Sequence, residues 1–352
     1  MDIRTEFTDL LGEIEDEMRV VLGERDGHAR PLYEMLAYHL GIDKREGPRG
    51  KRIRPLLGLL VYQALTDDYR TALPGAAAVE LGHNFSLVHD DIEDGDVERR
   101  HRPTLWAIWG VPLAINAGDA LFALSRLALY RLLEGEKVSA DRVLSLMRIY
   151  DETCLALCEG QFLDISFERR TDISLAEYNE MIGKKTAALL GASAQAGAIL
   201  ATDDQETIDA FQRFGYDMGL AFQMADDVKG TFWSAEESGK ATAGDVRKRK
   251  KTLPVVWAFE NAADEDRERL RKIYAPRIRA TDGAFAPDVD PLLGDAEVAE
   301  VIAILERSGA RDHAEGEARR CRDRALETVA GLPIAPERRA ELASLIGTSI
   351  AV

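Results

Sequence analysis

The chain has 352 residues, 46% of them hydrophobic, and a net charge of −17 at pH 7. This length allows one large domain or two ordinary ones. The acidic excess argues against a general nucleic-acid binder, which needs a basic face, but it leaves room for a local basic pocket. Three cysteines are too few for a disulfide framework and lack metal-site spacing, and the N-terminus has no signal-peptide core. These features favour the cytoplasm.

Hydrophobic spacing predicts helices along the whole chain. Apolar residues follow a helical pattern in segments near residues 5–22, 31–40, 56–65, 74–94, 111–134, 139–168, 175–182, 187–201, 207–232, 295–308, 310–331 and 336–350. No segment alternates like a strand, and none is long and apolar enough to span a bilayer. Residues 281–291 are typical of a loop. We predict an all-α helical bundle that forms a single domain over residues 1–352.

A charged segment near residue 90 carries the strongest functional signal. Asp90 and Asp94 stand one turn apart on the helix predicted over 74–94 and share a face. Two carboxylates on one face favour a hard divalent cation, most naturally Mg²⁺ bound with a phosphate group. Arg99 and Arg100 follow and offer guanidinium groups suited to phosphate oxygens. The alternative is a charged helix end that meets solvent.

Basic residues elsewhere indicate further anion-binding groups. A loop rich in Gly and Pro places Lys51 and Arg54 before an apolar helix, where they would suit an anion. The alternative there is a basic surface loop. His83 shares the helix face of Asp90, which favours a role as a donor to phosphate. Lys185 and the lysine before it open a helix rich in Ala and Gly, which is unusual unless an anion lies opposite.

A second acid pair, Asp226 and Asp227, follows another apolar helical segment and precedes a second basic loop. Two acid pairs on separate helices could face each other across a cavity and share two or three Mg²⁺ ions through a diphosphate. Neutralising a diphosphate lowers the barrier to its departure from carbon. The carbocation that remains would need an apolar cavity that excludes water.

The number of basic groups indicates two anionic substrates. One cluster would serve the diphosphate that leaves, and a second cluster would hold another diphosphate beside it. The members of the second cluster are Lys51, Arg54, His83 and Arg100. Two diphosphates and one site that generates a carbocation point to the joining of two isoprenoid units.

The order of these motifs resembles the trans-type isoprenyl diphosphate synthase family, over nearly the whole chain. The matching segments are Gly50–Pro55 (the GKRxRP motif), Asp90–Asp94 with Arg99–Arg100, Glu159–Gln161, Lys185–Thr186, Phe222–Gln223 with Asp226–Asp227, Gly239–Lys240 and Lys250–Thr252. A single aspartate-rich motif is weak support, whereas the full set in order is specific. The resemblance implies an all-α bundle around a central apolar cavity.

The resemblance also implies a role for each matching residue. Two or three Mg²⁺ ions would be bound by Asp90, Asp94 and Asp226. The allylic diphosphate would be held by Arg99, Lys185, Lys240 and Lys250. Isopentenyl diphosphate would be held by Lys51, Arg54, His83 and Arg100. Oxygen dipoles that steady the forming cation would come from Thr186 and Gln223.

Product length would depend on the residues beneath the first acid pair. Phe85 and Ser86 lie about one turn before Asp90, in the expected path of the growing tail. In the family this combination resembles the geranylgeranyl (C20) type, with farnesyl (C15) or longer products as alternatives and ordinary packing as the other role for Phe85. The substrates implied are isopentenyl diphosphate and dimethylallyl, geranyl or farnesyl diphosphate. The resemblance also implies a homodimer.

One departure from the family concerns the second acidic motif. Its third aspartate is replaced by Gly230. Since that position is the less direct ligand in the family, we expect activity to survive, with a weaker third metal or a divergent role left open. The competing interpretations are a class I terpene cyclase, which would bind no second diphosphate, a non-catalytic subunit of a heteromeric synthase, and an inert helical scaffold.

Overall fold

The computed structural model describes residues 3–23, 26–43, 50–134, 137–233, 243–275 and 292–350. Helices make up most of these residues, so the prediction of an all-α protein is confirmed. The α-helices are Ile3–Glu6 (α1), Thr8–Leu22 (α2), Arg30–Leu40 (α3), Ile53–Thr66 (α4), Leu73–Glu93 (α5), Leu105–Trp109 (α6), Val111–Tyr130 (α7), Ala140–Phe167 (α8), Leu175–Ile182 (α9), Ala188–Ala201 (α10), Gln205–Phe232 (α11), Gly244–Arg247 (α12), Leu253–Asn261 (α13), Asp264–Tyr274 (α14), Asp295–Arg307 (α15), Ala310–Gly331 (α16) and Pro336–Ser349 (α17).

Local sequence signals account for where the functional helices begin. A proline stands in the first turn of α5, where its missing N–H removes no helical hydrogen bond. A capping box starts α9, because Ser174 accepts from the backbone N–H of Glu177 and the Glu177 side chain bonds back to Ser174. A π-helical turn, Gly183–Ala187, follows α9 and leads into α10. Such turns are frequent at functional sites.

A short hairpin corrects the prediction that the chain contains no strand. Glu98–Arg99 (β1) pairs antiparallel with Arg102–Pro103 (β2), with Arg99 opposite Arg102. Arg100 and His101 make the turn with φ of 53° and 58°. A two-residue hairpin needs such left-handed positions, which usually carry Gly or Asn. The sequence lacks that signal, so its hydrophobic pattern did not reveal the hairpin.

The described residues group into two compact units. The first unit comprises 1–154, 192–215 and 329–349, and the second comprises 155–191, 216–328 and 350–352. The single domain over 1–352 stays a prediction. Within the described ranges, no helix combines the length and the apolar character needed to cross a membrane. Lys240 and the loop predicted over 281–291 lie outside the described residues.

Each unit has its own apolar core beside one acidic motif. In the first unit, α5 packs extensively against α7, and Gly118 permits the close approach because a Cβ there would overlap the ring of His89. In the second unit, α13, α14 and α15 form a core around buried side chains such as Phe259, Leu270 and Ile304. These cores fix the helices that carry the acidic residues.

Candidate active site

The first acidic motif lies at the end of α5 in the first unit. Asp90 and Asp94 are partly exposed and one turn apart, as predicted, and Asp94 closes the helix by donating its N–H to the Asp90 carbonyl at 2.8 Å. Among the described residues, no three His, Cys, Asp or Glu side chains form a group able to hold a metal ion. Two carboxylates one turn apart can supply only part of the oxygen ligands of a divalent cation, so a ligand such as a diphosphate would have to supply the remaining oxygens.

Asp91, to which the sequence analysis gave no role, is the buried member of this motif. Its Oδ1 accepts a hydrogen bond from Arg99 Nε at 2.6 Å, while its Oδ2 has no hydrogen-bond partner in the described part of the chain. Burial raises the pKa of Asp91 to about 6, against the opposing effect of Arg99. The arrangement orients the Arg99 guanidinium, which was predicted to bind phosphate.

The hairpin after α5 lines a small basic pocket of about 20 Å³. Its walls are Tyr38, His39, Asp91, Arg99, Arg100, Arg102, Pro103 and Thr104. Burial, reinforced by Arg100 and Arg99, holds the pKa of His39 well below its usual value. Arg102 is already paired with Asp43 at 2.8 Å and lies over the Tyr38 ring. Arg99 and Arg100 are the cations of this pocket that were predicted to bind phosphate.

The first basic loop is anchored by Arg52, another residue that the sequence analysis did not assign. Arg52 has a left-handed backbone with φ of 53°, and its side chain is buried. Its guanidinium pairs with Glu80 at 2.6 Å and donates to the Leu40 carbonyl. A buried charge needs such partners. The sequence signal for this ion pair was Glu80, an acidic residue within an apolar helix. This anchor fixes the backbone between Lys51, which is exposed, and Arg54.

Three of the predicted phosphate-binding residues come together beside this loop. Arg54 Nη1 lies 3.2 Å from His83 Nε2. Since a guanidinium can only donate, Nε2 accepts, and His83 can donate to a phosphate only through Nδ1. The pKa of His83 lies well below its usual value because of burial and of the charges of Arg54 and Arg100. The Arg100 guanidinium packs against Gly50, where a Cβ would lie 2.9 Å from Nη2.

The second acidic motif lies near the end of α11 in the second unit. Asp226 is exposed, whereas Asp227 is buried. Asp227 accepts hydrogen bonds from the Tyr178 hydroxyl at 2.7 Å, the Leu253 N–H at 2.8 Å and Gln223 Nε2 at 2.9 Å. Burial raises the pKa of Asp227 to about 7, although these hydrogen bonds lower it. Asp227 therefore ties α11 to α9 and to the start of α13.

Thr186 and Gln223, predicted to steady a cation, form one hydrogen-bonded pair in the second unit. The Thr186 hydroxyl, in the π-helical turn, donates to Gln223 Oε1 at 2.8 Å. The amide of Gln223 is thus held at both ends, by Thr186 and by Asp227. Because the Thr186 proton points to Gln223, its oxygen lone pairs are directed elsewhere and could face a positive charge.

Lys184 and Lys185, the two lysines of the π-helical turn, already lie opposite carboxylates of the chain itself. Lys185 pairs with Asp164 at 2.5 Å, and Lys184 pairs with Glu159 at 3.0 Å and with Glu180 at 2.9 Å. These pairs account for the anion that the sequence analysis expected opposite the two lysines. Lys185 remains a predicted diphosphate ligand, with its ammonium held by Asp164.

Glycine and turn geometry set the position of two further predicted segments. A Cβ at Gly160 would lie 2.7 Å from the Lys185 Cα, so only Gly permits α8 to approach the π-helical turn. Lys250 follows Arg249, which has a left-handed backbone with φ of 54°. The N–H of Lys250 donates to the Asp245 carbonyl at 2.9 Å. Lys240, predicted to bind the allylic diphosphate, lies outside the described residues.

Comparison with known proteins identifies the family. Residues 33–285 match the Polyprenyl synthetase family. The chain is 38% identical over 333 residues to a (2E,6E)-farnesyl diphosphate synthase of Mycobacterium tuberculosis (93% of this chain, 87% of the relative). It is also 39% identical over 279 residues to a geranylgeranyl diphosphate synthase of the same organism, covering 78% of each. The chain belongs to the polyprenyl synthetase family.

The fold agrees with that assignment. The crystal structure of a geranylgeranyl pyrophosphate synthetase from Pyrococcus horikoshii matches with a TM-score of 0.86 and 34% identity, over 99% of this chain and 98% of that one. This member of the polyprenyl synthetase family is therefore a chain-elongating prenyltransferase of the trans-isoprenyl diphosphate synthase type. The similar proteins include both farnesyl and geranylgeranyl synthases, so their names leave the product length open.

In this polyprenyl synthetase, Phe85 packs between α5 and α7. Its ring is 9% exposed and makes edge-to-face contacts with Phe122 at 5.1 Å and with His89 at 6.0 Å between centroids. The Ser86 hydroxyl donates to the His83 carbonyl at 2.9 Å, within its own helix. Phe122 is thus a neighbour of Phe85 that sequence reasoning did not predict, because it comes from a different helix.

Proposed function

We propose that this prenyltransferase condenses isopentenyl diphosphate with an allylic diphosphate to give geranylgeranyl diphosphate (C20), with Mg²⁺ as its cofactor. The observation that carries the proposal is that two anion-binding groups accompany one pair of carboxylates. Arg99 is oriented by Asp91, while Arg54, His83 and Arg100 come together beside the first basic loop, and Arg100 also lines the pocket of Arg99. A terpene cyclase would need only one of these groups.

The proposed reaction breaks the carbon–oxygen bond of the allylic diphosphate and forms a carbon–carbon bond to isopentenyl diphosphate. Mg²⁺, when bound, would neutralise charge on the departing diphosphate. Arg99, Lys185, Lys240 and Lys250 would hold that diphosphate. Lys51, Arg54, His83 and Arg100 would hold the other one. The released diphosphate would accept the final proton, so no side-chain base is required.

The Mg²⁺ ligands proposed are Asp90, Asp94 and Asp226. The partly exposed positions of Asp90 and Asp94 and the exposed position of Asp226 support this assignment, because each can reach a ligand. The cation would meet the oxygens of Thr186 and Gln223, which are held by hydrogen bonds before substrate binds. Such preorganised dipoles cost little reorganisation during the reaction.

A homodimer is part of the proposal. Large apolar side chains are exposed on α6 and α7, among them Ile108, Leu113, Ile115 and Leu127 at 44–54% exposure. Exposed apolar groups of this size favour contact with another protein surface, here a second copy of the chain. Light scattering on the purified protein should give twice the mass of one chain. A monomer at micromolar concentration would remove the dimer from the proposal.

The test of the function is product analysis with the purified chain, Mg²⁺ and isopentenyl diphosphate. Dimethylallyl, geranyl and farnesyl diphosphate are supplied in turn, and the expected product with each primer is C20. A C15 product would leave the reaction class intact and change the chain length. Diphosphate release without isopentenyl diphosphate would favour a cyclase. The absence of any product from the chain alone would favour a non-catalytic subunit.

A further inference from the structure

Arg102, to which the proposed reaction gives no role, ties the hairpin after α5 to α3 and to the turn that follows α3. Its Nη2 donates to Asp43 Oδ2 at 2.8 Å and its Nη1 donates to Asp43 Oδ1 at 3.1 Å, so the pair is bidentate. Nη1 also donates to the Tyr38 carbonyl at 3.2 Å. Because two parallel bonds fix the direction of a guanidinium as well as its distance, this contact holds β2 in a defined position.

Tyr38 reinforces the same contact with its side chain. The guanidinium carbon of Arg102 lies 3.8 Å from the centroid of the Tyr38 ring, within range of a cation–π interaction. The Tyr38 hydroxyl donates to the Pro103 carbonyl at 3.0 Å, so the ring is bonded to the strand whose arginine it contacts. Trp109 makes an edge-to-face contact with this ring at 5.4 Å between centroids. We call Arg102, Asp43 and Tyr38 the hairpin clamp.

The turn beside the clamp has a conformation that its own residues do not favour. Arg100 and His101 both have positive φ, of 53° and 58°. A Cβ is disfavoured in this conformation, and two-residue hairpin turns with positive φ usually carry Gly or Asn. Such a turn persists only when contacts outside it hold the backbone in place. Arg102 follows the turn directly and supplies contacts of this kind.

The same hairpin carries the two arginines that are proposed to bind the two diphosphates. Arg99 precedes the turn and pairs with Arg102 across the hairpin. Arg100 lies in the turn, with its guanidinium against Gly50. A turn that left its conformation would displace Arg100 and would unpair Arg99 from Arg102. The clamp therefore acts on both proposed diphosphate ligands at once.

We propose that Arg102 is a positioning residue, which holds the strained turn so that Arg99 and Arg100 stay directed at their diphosphates. This inference rests on the proposed function. Arg102 itself would bind no substrate, because Asp43 already accepts from both of its Nη atoms. Loss of the clamp should therefore affect both substrates, and a turn that favours positive φ by itself should no longer need the clamp.

The first test follows the hairpin without any turnover. In Arg102→Ala, amide hydrogen exchange over residues 97–104 should become about tenfold faster, the lower end of the effect of losing a charged hydrogen bond. The lower end applies because the side chains of Arg102 and Asp43 are 20% and 21% exposed. Arg30→Ala is the matched control, since it breaks an exposed ion pair with Glu34 on α3, and hairpin exchange should not change.

The second test measures the KM for each diphosphate separately. Arg102→Ala should raise the KM for isopentenyl diphosphate and the KM for the allylic diphosphate by about tenfold each, with kcat within about twofold of wild type. A variant that merely destabilised the fold would reduce the amount of active enzyme and leave both KM values unchanged. Arg30→Ala should match wild type. A rise in only one KM, or a loss confined to kcat, would overturn the inference.

The third test removes the need for the clamp. His101 is exposed, and glycine at its position favours the left-handed conformation of the turn. Arg102→Ala combined with His101→Gly should therefore bring both KM values back to within about threefold of wild type and should slow hairpin exchange relative to Arg102→Ala. A double variant no better than Arg102→Ala would contradict the proposed role of Arg102.

The outcomes separate this inference from the proposed function. If the wild-type chain forms no product with isopentenyl diphosphate and any allylic primer, the proposed function is wrong and the inference fails with it. If the wild-type chain forms product and Arg102→Ala matches it in hairpin exchange and in both KM values, only the inference is wrong. Circular dichroism of each variant establishes that a changed KM does not come from a lost fold.

Discussion

The two acidic motifs of this chain share a design but differ in what their buried member does. In each motif the first aspartate is at least partly exposed and the second is buried. Asp91 accepts a hydrogen bond from the cation of Arg99, whereas Asp227 accepts three hydrogen bonds from uncharged donors. The first member is the proposed metal ligand, and the buried member orients its surroundings.

The difference between Asp91 and Asp227 matches the proposed function of the side chain that each of them holds in place. Arg99 carries the charge predicted to bind phosphate, so its partner is a carboxylate that keeps the guanidinium in place. Asp227 instead fixes Gln223, whose amide oxygen is proposed to face a cation. A cationic partner beside Asp227 would repel the carbocation that Gln223 is proposed to face. The pKa of Asp227, about 7 against about 6 for Asp91, reflects burial without a neighbouring cation.

The largest effect should come from the exposed aspartates. Asp90→Ala should lower product formation by at least about 1,000-fold at any Mg²⁺ concentration, since loss of a metal ligand removes several kcal/mol of charge stabilisation. Asp226→Ala should lower it by about 100-fold, because it is proposed to serve a single ion. Initial rates over a series of Mg²⁺ concentrations provide the measurement. Near-normal turnover of Asp90→Ala would remove the central assignment.

The helices of this fold could be predicted because their signal is local. The helix expected over 74–94 is Leu73–Glu93, and the one expected over 207–232 is Gln205–Phe232. Apolar spacing along one segment is enough for such a prediction. The hairpin after α5 could not be predicted in this way, because Arg100 and His101 adopt left-handed conformations that their residue types do not signal.

The site could be predicted only in part, for a related reason. Motif spacing drew attention to the exposed face of α5 and so to Asp90 and Asp94. Asp91 and Arg52 were missed because their roles depend on partners elsewhere in the chain, Arg99 and Glu80. A buried charge is recognised by its partner, and the partner becomes visible only in three dimensions.

The second prediction concerns stability and separates the two buried aspartates. Asp227→Ala should lower the free energy of unfolding by roughly 2–6 kcal/mol, because the buried Tyr178 hydroxyl and Leu253 N–H would each lose their acceptor at about 1–3 kcal/mol. Asp91→Ala should cost only about 1–2 kcal/mol, because the Arg99 side chain is 29% exposed and can bind water instead. Urea unfolding of both variants measures the difference.

The activity of the same two variants sharpens that comparison. Asp91→Ala should raise the KM for the allylic diphosphate by about tenfold, because Arg99 loses its orientation and the lost interaction is one charged hydrogen bond of about 1.5–3 kcal/mol. Asp227→Ala should mainly lower kcat, since it releases Gln223. Equal stability losses, or a rise in KM confined to Asp227→Ala, would contradict the division of roles between the two residues.

The smallest change in rate is expected for the phenylalanine about one turn before each motif, and only the one before the first motif should change the product. Phe85 precedes Asp90 on α5, and Phe222 precedes Asp226 on α11. If the growing tail runs along α5 from Asp90, then Phe85→Ala should lengthen the product beyond C20, whereas Phe222→Ala should leave its length unchanged. Phe85→Ala also removes the contact with Phe122 and should cost about 3–5 kcal/mol of stability, so products are analysed at low temperature.

The outcome of that experiment decides which helix lines the path of the tail. Lengthening with Phe85→Ala alone would assign the floor of the cavity to α5. Lengthening with Phe222→Ala alone would assign the path to the second motif and reverse the proposed asymmetry. An unchanged product with both variants would mean that Phe85 only packs against α7. Phe122→Ala then becomes the informative variant, because Phe122 faces the same ring from the other helix.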